Sequence, residues 1–429
     1  MDRLADRLSR LAFVLALVVL AVLYGVFAVR NDWFPAPQIA LTEATLADLG
    51  SHWQNDLGLE PTRHLVPARA GAALGEGGFR LHRVGAAEPG FVAVAGLSPE
   101  QERSFHAITL YDDTGRQVHR WPVRYDRIAP EGEAPENVMI HGVAFFEDGS
   151  IVLAFDNGAA LARLDPCGEP MWVTEGGFHH VVHRADDDRL WSWRGDEIVS
   201  IDAETGEVLS SLSLRQTIMH AGDGQLGILG MHALTREEKP LEWAGDPFHT
   251  NDVEPLEPAM AAAFPMFEPG DLLVSLREVN LVAVVEPETG RFKWYRHGPW
   301  HRQHDPDFQP DGTISVFDNA TGLDHSRILS VDPASGAVET PFEGSEAVPF
   351  YTWRRGKHQR LPGGNWLLTE SERGRVLEVD ANGALVWERE FPWDDGRNLI
   401  VTQAEHLPPG FFTDDAPSCP PDGTLASAE

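Results

Sequence analysis

A unit of short apolar strands and glycine-bearing turns recurs along most of this 429-residue chain and constrains its fold more than any other feature. Each copy opens near a histidine, passes an apolar strand and a Gly turn, and ends in strands cut by an Asp- or Glu-bearing turn. The opening histidines are His141, His179/His180, His249, His304, His358 and His406. Repeats of about 40 to 55 residues with this pattern are typical of β-propeller blades. The sequence therefore predicts an all-β, six-bladed β-propeller, closed by an N-terminal strand from about residues 90–124.

The composition excludes some classes of partner. The chain has 66 acidic and 34 basic residues, a formal net charge of −32, which repels nucleic acid and anionic lipid headgroups. An anionic substrate would need a local cationic pocket. The only cysteines are Cys167 and Cys419, so there is no thiolate metal site. They could pair in an oxidising compartment or remain free thiols.

The N-terminus carries a targeting signal. Leu11–Val29 is an uncharged apolar run of membrane-spanning length, and Arg3, Arg7 and Arg10 precede it. The positive-inside rule then places the N-terminus in the cytoplasm. We expect a single-pass protein of the cytoplasmic membrane with its propeller in the periplasm. A cleaved signal peptide is the alternative, since residues 26–28 resemble a weak cleavage site.

Composition shifts divide the chain into four parts. We expect a cytoplasmic stub and transmembrane anchor over residues 1–30, and a linker with a short helical extension over 31–88. A small helix is predicted at Thr42–Asn55. The propeller should cover residues 89–413, with an excursion at 216–247, and a disordered tail should cover 414–429.

The repeated histidines suggest chemistry at the propeller axis. Inner strands line the central channel, so residues that open them in different blades meet near one mouth. One such histidine is more often structural, but several together supply nucleophiles, general acids and hydrogen-bond donors. Arg277 and Arg327 follow two of these openings and suit sulfate, phosphate or carboxylate. Inter-blade salt bridges are the alternative role for both arginines.

Four stretches of the sequence resemble the bacterial arylsulfate sulfotransferase family. They are residues 245–252 (GDPFHTND), 270–294, 303–319 (QHDPDFQPDGTISVFDN) and 358–388. The resemblance covers roughly residues 90–390. It implies a six-bladed propeller outside the cytoplasmic membrane that moves a sulfuryl group from a phenolic sulfate ester to a phenol. The implied mechanism is ping-pong, through a sulfated histidine and without a nucleotide donor.

The resemblance also assigns site residues. His249 and His304 match two of the family's histidines, and His358 is the positional match for its nucleophile. The family's catalytic arginine follows the FDN triplet, which here ends at Asn319 and precedes Ala-Thr-Gly-Leu, so Arg327 or Arg277 must take that place. The expected catalytic residues are His249, His304, His358 and Arg327. Asn251 and Arg277 are expected to bind the substrate, with no cofactor and no metal.

Two other functions remain open from the sequence. The first is a non-catalytic periplasmic propeller that binds a protein partner, since one fold hosts many functions. The second is a quinone-dependent dehydrogenase, which would have eight blades rather than six. Convergence of His249, His304 and His358 with an arginine would favour the enzyme, whereas dispersed or plugged side chains would count against it.

Overall fold

The computed structural model describes most of the chain. It covers residues 2–31, 33–36, 38–39, 42, 62–69, 78–98, 106–214, 217, 246 and 248–419. The predicted helix at Thr42–Asn55, the predicted excursion at 216–247 and residues 420–429 of the predicted tail lie almost wholly outside the described residues. The chain divides into two units, residues 1–63 and 64–429.

The first unit contains helix α1 (Asp2–Arg30). Its segment Asp6–Arg30 is long and apolar enough to cross a membrane, and most of its side chains are exposed. The predicted span Leu11–Val29 lies inside it. A signal sequence near an N-terminus has the same length and composition, so the helix is a candidate membrane span.

The second unit is built almost entirely of strands. In chain order they are β1 Leu65–Pro67, β2 Phe79–Leu81, β3 Phe91–Leu97, β4 His106–Asp112, β5 Gln117–Val123, β6 Ile140–Phe145, β7 Ile151–Phe155, β8 Ala160–Leu164, β9 Pro170–Glu175, β10 Phe178–Arg184, β11 Arg189–Arg194, β12 Glu197–Asp202, β13 Val208–Ser213, β14 Thr250–Pro255, β15 Leu272–Leu276, β16 Leu281–Val285, β17 Phe292–His297, β18 His304–Phe308, β19 Ile314–Asp318, β20 Arg327–Val331, β21 Val338–Glu343, β22 Lys357–Arg360, β23 Trp366–Glu370, β24 Arg375–Val379, β25 Leu385–Glu390, β26 Arg397–Leu399 and β27 Val401–Leu407. The short helical segments are Tyr125–Ile128, Pro135–Asn137, Ala261–Ala263, Arg277–Val279 and Ser371–Arg373.

Six antiparallel sheets form the blades, which confirms the predicted six-bladed propeller. Blade 1 has the order β27-β3-β4-β5, and blades 2 to 5 are β6–β9, β10–β13, β14–β17 and β18–β21. Blade 6 is β22–β25 with β2 added outside β25. Strands β1 and β26 form a separate two-stranded sheet. The innermost strands are thus β27, β6, β10, β14, β18 and β22.

The repeated Asp turns explain why these sequences form hairpins. Asp380 accepts hydrogen bonds through Oδ1 from the backbone N–H groups of Asn382 (2.9 Å) and Ala384 (3.0 Å). Gly383 completes this turn at φ +77°, which disfavours any residue with a side chain. Asp165 makes the equivalent pair of bonds in blade 2. The sequence repeat is therefore a repeat of one turn geometry.

Apolar side chains fill the space between neighbouring blades. Trp121 of blade 1 and Phe155 of blade 2 are fully buried in one such cluster, and the Trp121 indole N–H donates to the carbonyl of Gly149 (2.8 Å). Burial of side chains this large stabilises each blade contact by a few kcal/mol, roughly 1.5 to 3 per side chain. The rigid ring holds the inner strands around one channel.

Both ends of the propeller sequence meet in blade 1. Strand β27 pairs with β3 over its whole length, from Val401 opposite Gly96 to Leu407 opposite Phe91. Beyond β27, Cys419 forms a disulfide with Cys167 of blade 2, which decides the pairing that the sequence left open. The ring is therefore closed by strand pairing and then fastened covalently to the neighbouring blade.

Candidate functional site

Five of the six inner strands begin with an irregularity in their pairing. The register shifts at the starts of β6, β10, β14, β18 and β27, whereas the pairing of β22 with β23 is regular. His180, His249 and Asp305, at or next to these shifts, have left-handed φ values of 66°, 45° and 50°. Bulges turn side chains away from their regular direction, and such strain gathers at functional sites.

The bulges gather histidines from neighbouring blades at one end of the channel. We call His141, His179, His180, His249 and His304, together with Arg277, the histidine mouth. The rings of His141 and His180 lie with centroids 4.1 Å apart, and His180 Nε2 lies 3.2 Å from His249 Nε2. The second nitrogen of His249, Nδ1, contacts the Asp246 carboxylate. Blades 2, 3 and 4 thus meet through imidazole rings.

His304 opens blade 5 and has one nitrogen in a defined hydrogen bond. Its Nδ1 lies 2.6 Å from Asn319 Oδ1. The Asn319 amide nitrogen donates to the carbonyls of Thr352 (2.6 Å) and Arg355 (2.8 Å), so Oδ1 must be the acceptor and His304 Nδ1 must carry the proton. The other nitrogen, Nε2, keeps its lone pair and makes no hydrogen bond to any residue that the structure describes.

The surroundings keep His304 neutral. Burial and the nearby Arg277 charge lower the pKa of His304 to about 3. Burial also lowers the pKa of His141 and His180 well below the usual value for histidine, and the charge of Arg355 adds to the shift at His141. Neutral imidazoles can act as nucleophiles or proton acceptors at physiological pH.

Arginines give this mouth a positive charge within a strongly acidic protein. Arg277 follows β15 directly, is only 6 % exposed, and donates to Glu278 Oε1 (2.8 Å from Nη2). Arg302 shares the same carboxylate at 2.7 Å. Burial lowers the pKa of Arg277, and the neighbouring charges of Arg302 and Arg354 lower it further despite Glu278. The mouth therefore has the cationic character that an anionic ligand requires.

Two of the predicted catalytic residues lie away from the histidine mouth. His358 is fully buried, with Nδ1 bonded to Asp305 (3.1 Å) and Nε2 to Ser315 Oγ (2.7 Å). Both of its ring nitrogens are thus engaged. Arg327 begins the third strand of blade 5, where its Nε donates to Asp318 (2.8 Å). It lies farther from the axis than Arg277, which follows a second strand.

Asn251, predicted to bind the substrate, lies behind the mouth. Its side chain is 4 % exposed and donates from Nδ2 to the carbonyl of Gln303 (2.8 Å). This bond supports the backbone immediately before His304. Its Oδ1 is buried and makes no hydrogen bond within the described part of the chain.

His406 was interpreted as the opening of a blade, and that interpretation is wrong. It is the sixth residue of β27 and lies near the strand's end, where its Nε2 bonds to the Pro89 carbonyl (2.9 Å). The blade count survives because β27 itself is an inner strand. Its start is occupied instead by Val401, Thr402 and Gln403.

The structure therefore brings together His249, His304 and Arg277 from the predicted set. It adds His141 and His180, which the repeat of opening histidines had already marked, although they were not chosen as site residues. It also adds Asn319, the last residue of the FDN triplet, and Asp246. No sequence signal distinguished Asn319 from an ordinary strand-end residue.

Deeper in the channel lies a second polar region, which we call the carboxylate chamber. It is a cavity of about 570 Å³ whose lining includes the acidic side chains Asp252, Glu254, Asp305, Asp307 and Glu405, with Lys357 among them. Lys357 Nζ lies 2.6 Å from Asp305 and 3.6 Å from Asp252. Burial raises the pKa of Asp252 and of Glu405 to about 7. For Asp305, burial raises the pKa, but the Lys357 charge and the His358 hydrogen bond together outweigh burial and hold the pKa well below its usual value.

One group in the chamber has the spacing of metal ligands. Ligand atoms of Asp305, Asp307 and His358 lie within 4.8 Å of one another. In the structure, Lys357 and the ring of His358 already bond to Asp305, and Ser315 bonds to the second nitrogen of His358. A cation there would have to displace these hydrogen bonds.

Comparisons with known proteins give one informative match. The sequence model of the family described as Arylsulfotransferase (ASST) matches residues 104–392. No curated protein sequence matches the chain.

Among solved structures, a Bacteroides caccae protein of unknown function has 14 % identity and a TM-score of 0.45, covering 70 % of this chain and 94 % of that chain. A catalytically inactive virginiamycin B lyase from Staphylococcus aureus with quinupristin has 10 % identity and a TM-score of 0.39, covering 73 % and 88 %. Because both TM-scores are below 0.5, we draw nothing about function from them.

Proposed function

This chain belongs to the arylsulfotransferase family, and from that premise we propose that it transfers a sulfuryl group from a phenolic sulfate ester to a phenol through a sulfated histidine. The observation that carries the proposal is His304. Its Nδ1 proton is held by Asn319, while its neutral Nε2 has no hydrogen-bond partner among the described residues and lies beside Arg277 and His249. That is the arrangement a histidine nucleophile needs.

The first half of the reaction would form a sulfo-enzyme. The Nε2 lone pair of His304 attacks sulfur, and the bond from sulfur to the phenolic oxygen breaks with its electron pair on oxygen. Arg277 would bind the sulfuryl oxygens that do not react, because a planar guanidinium offers several donors to an oxyanion. His249 would give a proton to the departing phenolate.

The second half would reverse these steps with a different phenol. The acceptor hydroxyl gives its proton to His249 and attacks the sulfur on His304, and the sulfur–nitrogen bond breaks. His304 is released neutral and His249 is again protonated. The positions of the two histidines on adjacent blades, 4 and 5, suit this division into acid and nucleophile.

We favour His304 over His358 as the nucleophile for a geometric reason. Attack on sulfur needs an imidazole lone pair directed at the substrate. Both ring nitrogens of His358 are already hydrogen-bonded inside the chamber, to Asp305 and Ser315. Both arginines are paired with a carboxylate, Arg277 with Glu278 and Arg327 with Asp318. Arg277 is the better candidate because its charge acts on His304, whereas Arg327 begins an outer strand.

We also propose that α1 anchors the protein in the cytoplasmic membrane, with the propeller in the periplasm. The apolar helix and the basic residues before it support this topology. The Cys167–Cys419 disulfide supports an oxidising compartment for the propeller.

The test uses the full chain in detergent micelles. With 4-nitrophenyl sulfate as donor, nitrophenol release should depend on added phenol. With donor alone, mass spectrometry of the digested protein should find one sulfated peptide, carrying the group on His304. Absence of phenol-dependent release and of sulfated histidine across a panel of phenolic sulfates would overturn the proposal.

A further inference from the structure

Four hydrogen bonds join three histidines of the mouth into one continuous chain. His179 Nε2 lies 3.0 Å from the Gly195 carbonyl oxygen, and His179 Nδ1 lies 2.6 Å from His180 Nδ1. His180 Nε2 then lies 3.2 Å from His249 Nε2. The last bond joins His249 Nδ1 to the Asp246 carboxylate. The chain thus runs from a backbone carbonyl in blade 3 to an acid beside blade 4.

Both ends of this chain can only accept protons. A carbonyl oxygen has no hydrogen to give, and an ionised carboxylate has none either. Four hydrogen bonds require four protons, one in each. Three neutral imidazoles supply only three. The hydrogen-bonded row of three histidines therefore contains one proton more than three neutral histidines have.

The Gly195 carbonyl fixes the direction of the chain. It requires a proton on His179 Nε2, so a neutral His179 accepts at Nδ1. His180 must then donate from Nδ1, and a neutral His180 accepts at Nε2. His249 has to donate from both nitrogens, to His180 on one side and to Asp246 on the other.

From this count we propose that His179 and His180 are positioning residues that, with Asp246, hold His249 as an imidazolium beside the substrate. The inference rests on the proposed function, because the Nε2 proton of His249 is the one transferred to the leaving phenolate. When the His249 Nε2 proton leaves its hydrogen bond with His180 and moves to the phenolate oxygen, His249 becomes neutral and keeps its Nδ1 proton toward Asp246. The acceptor phenol later returns a proton to Nε2. No other proton source is needed over a full cycle.

The charges around the chain agree with this placement of the proton. The ring of His141 lies against the ring of His180. Burial and that neighbour lower the pKa of His180. Burial also lowers the pKa of His179, although the Gly195 hydrogen bond opposes the shift. The hydrogen bond from His249 lowers the pKa of the Asp246 carboxyl, and Arg277 adds to that shift, so the extra proton does not reside on Asp246. The other titratable groups that act on these histidines are His304, near His180, and Asp196, near His179.

A spectroscopic experiment tests the proton without relying on activity. The full chain, labelled with ¹⁵N-histidine and held in detergent micelles, should show an imidazolium at neutral pH, with both nitrogens protonated, that is assigned to His249. Its signals should vanish in His249→Gln and become those of a neutral ring in Asp246→Asn. A neutral His249 ring in the unmutated protein would overturn the inference, whether or not sulfuryl transfer is observed.

A kinetic experiment tests the role of the hydrogen-bonded histidines. Phenyl sulfate has a poor leaving group and needs an acid, whereas 4-nitrophenyl sulfate does not. Asp246→Asn and His180→Gln should each lower the rate with phenyl sulfate by at least about 10²-fold and the rate with 4-nitrophenyl sulfate by less than about 10-fold.

The matched control is His183→Gln, on the same strand as His180 but lining the chamber. It should leave both rates unchanged. Equal losses with both donors in the chain variants would show a merely structural role and overturn the inference. If the unmutated protein transfers no sulfuryl group at all, the proposed function fails, and the spectroscopic experiment alone decides whether His249 holds the proton.

Discussion

The histidine mouth and the carboxylate chamber share one channel but have opposite chemistry. At the mouth, imidazole rings surround a buried arginine, and His304 keeps one nitrogen unengaged by any described residue. In the chamber, carboxylates surround Lys357, and His358 has both nitrogens bonded. The two regions are only a few residues apart along the same inner strands. Position along an inner strand, rather than residue type alone, therefore decides whether a histidine is available for chemistry.

The backbone explains much of this difference. Bulges open blades 2 to 5 at the mouth and turn their first residues out of the regular pleat. Blade 6 begins without a bulge, and its His358 follows the regular alternation into the chamber. The comparison can be tested by changing matched residues in the two regions.

The largest effect is expected from the two histidines. His304→Gln should lower the rate of sulfuryl transfer by at least roughly 10³-fold and remove the sulfated peptide, since it deletes the nucleophile. The His358→Gln variant should still be sulfated on His304. The free energy of unfolding of this variant should fall, because Asp305 and Ser315 lose a buried hydrogen-bond partner. A sulfated His358, or labelling that survives in His304→Gln, would reverse the roles given to the two regions.

The next effect concerns the arginines. Arg277→Lys should lower kcat/KM by about 10²-fold, because lysine cannot present two parallel donors to an oxyanion. Arg327→Lys should have a small effect on kcat/KM, since Arg327 pairs with Asp318 in an outer strand. Steady-state kinetics with 4-nitrophenyl sulfate would measure both. A larger loss in Arg327→Lys would place the anion site elsewhere.

The disulfide should affect stability without affecting the mouth. The segment after β27 lies at the chamber end, where Phe411 lines the cavity and Thr413 bonds to the Glu147 carbonyl (2.8 Å). The double variant Cys167→Ser, Cys419→Ser should lose about 2–4 kcal/mol of unfolding free energy. Its kcat/KM should stay unchanged at temperatures well below unfolding. A loss of kcat/KM together with the loss of unfolding free energy would show that the chamber end of the channel controls the histidine mouth.

The smallest effect is a pH dependence that belongs to the chamber. Burial raises the pKa of Asp252 from 3.8 to about 7, so the folded protein holds a proton there that the unfolded chain releases. This contribution to stability is complete below pH 3.8 and is lost as the pH rises through about 7. Asp252→Asn should therefore show a smaller fall in unfolding free energy between pH 5 and pH 8, measured in urea.

The exposed Asp394 gives the control for this measurement. It pairs with Arg397 on the surface, and that hydrogen bond lowers its pKa, so it is already ionised across this range. Asp394→Asn should leave the pH dependence unchanged. If the unfolding free energy of Asp252→Asn falls with pH as steeply as that of the unmutated protein, the chamber carboxylates do not share a buried proton.

The sequence predicted the fold well because the fold repeats a local feature. Asp- and Gly-bearing turns are fixed by nearby residues, so their spacing revealed six blades even though His406 was assigned to the wrong end of its strand. The site depends instead on bulges and on distance from the axis, which no periodicity reveals. Arg277 and Arg327 both lie at strand ends on the same face, and only the order of strands from the axis separates them.

Closure of blade 1 by β27 also bears on how the protein can be made. The inner strand of the first blade is the last strand of the chain, so nothing synthesised before residue 401 can complete the ring. Until then β3 presents an unpaired edge, and blade 1 lacks its inner strand. Synthesis must therefore reach β27 before the channel can be closed.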